Sequence, residues 1–142
     1  MQQLPFPRFL RQVLLADAAA GALMALPLLA AADALSPLLG LPAVLLRAAA
    51  LLLLPVAAFV AWTGTRPFLP VRLVWCVIAV NLLWVADSAA LLLSGHLAPT
   101  MWGQALVIVQ AAAVALFAEL EYLGLRRARR SRTEQQGQQR FA

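Results

Sequence analysis

The chain has 142 residues, of which 63% are hydrophobic and 12% charged, and its mean hydropathy is +0.84. Such a composition cannot cover the surface of a soluble domain with polar groups, so the sequence is that of a membrane protein. The formal net charge of +5 does not point to nucleic acid, because six of the eleven basic residues, all arginine, follow Gly124 in a short tail beside an apolar segment.

In chain order, a short proline-bearing lead with Arg8 and Arg11 precedes a first apolar run over about 12–34. The two arginines, the apolar stretch and the alanines at 30–32 resemble a cleavable export signal. The run is nevertheless longer than a signal core, contains Asp17 and is followed by further apolar runs, which favours an uncleaved helix. Ala18, Gly21, Ala22 and Ala25 give it a small-residue face on which a neighbour can pack closely, and Pro27 is placed to kink it. Residues 35–42 form a short apolar connection with prolines 37 and 42, expected to skim the membrane interface. A second span over about 43–62 carries Arg47 near its start and Pro55 past its middle. Residues 63–70 form the next turn.

Spans three and four, at about 71–94 and 101–123, make a transmembrane hairpin around a break at 95–100. With the turn centred between Gly95 and His96, residues whose numbers sum to 191 lie at equal depth. That register sets Asn81 against Gln110, Asp87 against Gln104, Ser88 against Gly103 and Arg72 against Glu119. Hydrophilic groups in hydrocarbon are costly unless matched, so the register is read as interhelical glue. Helical azimuth turns Asp87 about 120° from Asn81, which frees it to join Asp33 and Arg47 in an outer charge cluster. Asp17 lies about 10 Å inside the inner edge, able to snorkel or to meet Arg72. Glu119 and Glu121 are expected in an interfacial charge lattice with Arg66, Arg72, Arg126 and Arg127. Asp17 and Asp87 are the candidate transport carboxylates.

Trp62, Trp75 and Trp102 lie near span ends as an interfacial belt, whereas Trp84 is deeper and packs on a neighbouring helix or stacks on a bound cofactor or isoprenoid. Gly124 is read as the cap of the last span, and 124–142 as a basic tail, a frayed helical end giving way to disorder. In that tail Arg126, Arg127, Arg129, Arg130 and Arg132 anchor the chain or bind anionic head groups. Arginines divide ten to one between the two sides, with only Arg47 opposite the termini. This asymmetry predicts both ends cytoplasmic, and the expected location is the bacterial inner membrane.

The lone cysteine, Cys76, is expected as a small buried hydrophobe and excludes an internal disulfide or a multi-cysteine metal site. The one histidine, His96, lies in a loop, so bis-histidine haem ligation within one chain is impossible. No nucleophile triad or phosphate loop is present, so no cofactor and no enzymatic activity are expected.

Asn81, Trp84, Ser88, Gly103 and the Glu119, Glu121 ending before an arginine cluster resemble a group of uncharacterised small bacterial integral membrane proteins with four helices. The resemblance implies an all-α up-down bundle but no activity. Small multidrug transporters share the size and a first-span carboxylate, which Asp17 matches, but not the aromatic-glycine pattern of their third span. DoxX-like proteins share the architecture without their loop motifs. The expected role is an accessory or structural membrane subunit, in a homo-oligomer or with a partner membrane protein. An oligomeric carrier or channel using the membrane carboxylates, and lipid or quinone binding, are the alternatives.

Overall fold

The computed structural model describes residues 6–140, with the side chains of 132 and 135–140 outside the description. The protein is an all-α bundle of α1 (Arg8–Ala30), α2 (Ala32–Leu39), α3 (Ala43–Gly64), α4 (Val71–Leu93) and α5 (Met101–Arg140). Four of these, all but α2, are long and apolar enough to cross a membrane, and the chain is a multi-pass membrane protein.

The long helices run alternately up and down. At one end, which holds both termini, the Arg11 guanidinium donates to the Arg66 carbonyl at 3.0 Å, and Arg127 lies over the Phe9 ring. At the other, the hairpin end, Thr100 meets the end of α2. Helix α1 packs most extensively on α3, α4 packs on α5, and α1 also contacts α5. Helices α3 and α4 barely touch, so the ring is open along that side. The α1–α3 seam uses the expected small-residue face: Ala18 and Ala25 are buried, and a Cβ on Gly21 would stand 3.4 Å from that of Ala57. Two apolar clusters hold the ends together. One, around Leu10, Leu14, Val60, Val74 and Leu125, lies at the termini end; the other, around Leu28, Leu39, Leu46, Leu53 and Val107, lies at the hairpin end. Leu23, Val44, Leu93 and Val109 face outward, where a bilayer supplies their apolar surroundings.

Three expectations about the elements are corrected. The first span ends at Ala30, and Ala32–Leu39 forms a separate two-turn helix, where the span was expected to run to about 34 and a connection to follow over 35–42. Gly40 ends it in a left-handed conformation, φ +65°, and donates to the Ser36 carbonyl at 2.9 Å. The next carbonyls are met from α5: the Thr100 N–H donates to Leu39 at 3.0 Å and its hydroxyl to Leu38 at 2.7 Å. These donors satisfy carbonyls that have no partner within α2.

Second, Gly124 is no cap. Helix α5 continues to Arg140, and Gly124 admits Leu10, whose Cδ1 would lie 3.1 Å from an added Cβ. The apolar packing persists past Leu123, because Leu125 is buried and Ala128 packs on the same cluster. The described part of the tail is therefore helical and not disordered; residues 141 and 142 lie outside the description. Third, Cys76 is exposed on the outer face of α4.

Candidate polar site between α1, α4 and α5

Asp17 stands nine residues from the start of α1, and Asn81 ten residues from the start of α4. At 1.5 Å per residue both lie about 14–15 Å from the termini end, and both side chains are buried, 8% and 5% exposed. Asn81 Nδ2 donates to Asp17 Oδ2 at 3.0 Å. It also donates to Glu121 Oε2 of α5 at 3.3 Å, and Glu121 is wholly buried. One amide group thus ties three helices at one point.

Side-chain direction makes this meeting possible. Cα–Cβ bonds tilt toward a helix N-terminus, so Asn81 leans toward the termini end, while Glu121 on the antiparallel α5 leans back toward the hairpin end. The lean brings the two side chains toward each other along the bundle axis. Both amide protons of Asn81 are used, Glu121 Oε1 has no partner among the described residues, and no arginine there bonds to either carboxyl. Two bare carboxylates accepting from one amide group in apolar surroundings would repel strongly. Proton exchange is the chemistry this arrangement can perform.

The cluster borders a cavity of about 150 Å³ that touches α1, α3, α4 and α5 and includes Asp17, Asn81, Trp84 and Gln110 in its wall. A second cavity of about 220 Å³ lies toward the hairpin end, with Asp87 and Ser88 in its wall. Met24, Trp84 and Gln110 line both, so the two spaces adjoin at those side chains. The Trp84 indole N–H is buried there without a partner among the described residues. A row of hydrophilic groups therefore runs from Asp17 and Asn81 past Trp84 and Gln110 to Asp87.

Several expected pairings are not formed. Asn81 and Gln110 line one cavity, but the amide of Asn81 goes to the carboxyls, which are stronger acceptors. Ser88 donates to the Trp84 carbonyl of its own helix at 2.8 Å. Gly103 instead lies against α2, where an added Cβ would stand 2.0 Å from the Leu39 oxygen. Gln104 donates to the Pro99 carbonyl at 3.2 Å and not to Asp87. Arg72 and Glu119 are both exposed and form no ion pair with each other. Asp17 meets Asn81, not Arg72, and Glu121 belongs to the interior and not to a surface lattice.

Of the outer cluster, Arg47 and Asp33 do form an ion pair, while Asp87 is exposed beside the second cavity and does not join them. Among the tail arginines, Arg126, Arg127, Arg129 and Arg130 are placed on α5, and the side chain of Arg132 lies outside the described residues. Comparison with protein-family models, curated proteins and solved structures finds no match, so the site is interpreted from its geometry alone.

Proposed function

We propose that the protein is a small proton-coupled carrier of the bacterial inner membrane, with both termini cytoplasmic. The observation that carries this reading is the pair of buried carboxyls, Asp17 and Glu121, bridged by Asn81 with no arginine bonded to them. Ionisable groups at membrane depth commonly mark proton or ion pathways, and Asp17 of this pair lines the first of two adjoining cavities, the second of which reaches Asp87. Asp17 and Glu121 hold the exchangeable proton, Asn81 positions them, and a small, largely apolar solute occupies the space beside Trp84. The arginine asymmetry supports the orientation. The test is pH-dye flux in proteoliposomes under an imposed gradient. Flux in the native protein, abolished in Asp17→Asn and in Glu121→Gln with helicity retained, is expected. Flux unchanged in both variants overturns the assignment.

A structural role as an accessory subunit is the second reading. It is favoured by the open α3–α4 side, which a partner helix would close, and by the use of Asn81 as a three-helix tie. In that case the native protein shows no flux, and Asn81→Leu impairs assembly with a partner or a second copy.

A further inference from the structure

Beyond the carboxyl pair, the termini end carries a second feature that the carrier reading does not use. Helical spacing places Tyr122, Arg126, Arg129, Arg130 and Thr133 along one stripe of α5. With Trp75 of α4 and the buried Leu125 they line a groove of about 330 Å³. No carboxylate lines it, and none of its three guanidinium groups forms an ion pair among the described residues. Arg127 is different: it points away, over the Phe9 ring of α1 at 5.7 Å. The arginines are thus sorted, three into the groove and one out of it.

The groove also has a defined depth. Trp75 and Tyr122 meet edge to face, 6.0 Å between centroids, at its membrane side, and such aromatic residues sit at the level of lipid head groups. Below them the outward side chains of α4 and α5, Leu82, Leu83 and Leu116 among them, are apolar. Above them are the guanidinium forks, whose geometry suits phosphate oxygens. A ligand that fills the whole feature is anionic at one end and hydrocarbon at the other.

We propose that Arg126, Arg129 and Arg130, with Trp75 and Tyr122 as the floor, bind the phosphate head group of an anionic membrane phospholipid in a specific site. The test uses the full chain in detergent, with native mass spectrometry of retained phosphatidylglycerol and of phosphatidylcholine. The expected result is selective retention of phosphatidylglycerol, reduced roughly a hundred-fold by the triple variant R126Q/R129Q/R130Q. A control of equal charge change, R8Q/R72Q/R127Q, is expected to lose less than about three-fold, because a single such site depends on position and not on total charge. Equal losses in the two triple variants, or no selectivity over phosphatidylcholine, overturn the proposal. Displacement of the lipid by millimolar inorganic phosphate overturns the lipid assignment, since the hydrocarbon half of the ligand would then contribute nothing. Circular dichroism of each variant separates loss of the site from loss of the fold.

Discussion

Replacing Asn81 by leucine removes both amide bonds of the polar cluster, at 3.0 Å to Asp17 and 3.3 Å to Glu121. Interhelical bonds in membrane proteins average about 0.6 kcal/mol, so the bonds alone account for roughly 1.2 kcal/mol. The greater cost comes from what stays behind: two buried carboxyls that have lost their shared donor, at about 1–3 kcal/mol for each group left unmet. The two figures overlap, since both count the same lost bonds. The expected destabilisation is therefore about 2–5 kcal/mol. The companion variant, D17L/N81L/E121M, removes every member of the cluster at similar volume and is expected to return to within about 1 kcal/mol of the native protein, because an emptied polar network costs far less than a broken one. The assay is unfolding in mixed micelles, followed by tryptophan fluorescence and far-ultraviolet circular dichroism. The reasoning is refuted if N81L loses less than about 0.5 kcal/mol or if the triple variant is no more stable than N81L. The shorter bond also implies stronger coupling of Asn81 to Asp17 than to Glu121 in double-mutant cycles.

Other outcomes follow from the same geometry. Gly103→Ala forces a methyl into the Leu39 carbonyl and is expected to cost at least about 2 kcal/mol in micelle unfolding, whereas Gly95→Asn, at φ +67° with nothing within 4 Å, stays near native. The Arg47–Asp33 pair is exposed, 43% and 78% at the side chains, so Arg47→Gln is expected to change stability by less than about 1 kcal/mol, and by still less in high salt. A spin label on Cys76, which faces outward from α4, is expected to be relaxed more by oxygen than by an aqueous nickel chelate in bilayers; the reverse order would place the start of α4 in water.

The four spans were legible because each carries a predominantly apolar run of the length a membrane-crossing helix needs, about twice that of a membrane-crossing strand. The hairpin was legible too, with helix ends at Leu93 and Met101 close to the expected 94 and 101. The α2 helix was not, because its last carbonyls are met by Thr100, a donor 61 residues further on than Leu39. Gly124 was misread for a related reason. Glycine marks both helix caps and sites of close approach, and only the presence of Leu10 beside it decides between the two.

The polar cluster shows where matching by depth stops being enough. Asp17 and Asn81 lie nine and ten residues from the same ends of their helices, a match hidden in the sequence because the first span was expected to start at about 12 and not at Arg8. Glu121 was hidden by the assumption that the last span stops at Leu123, which put it at the water's edge. Once α5 is known to continue, Ala118, Glu121 and Leu125 read as one buried stripe at helical spacing, with Glu119 on the exposed side. The Asn81–Gln110 register failed because Asn81 gives its amide to the two carboxyls, which accept more strongly than Gln110. Extending the apolar stripe through the basic helix end would have put Glu121 on the buried face of α5. Both corrections point the same way: in this bundle the burial of a charged residue is decided by the helix packed against it and not by its distance from the bilayer centre.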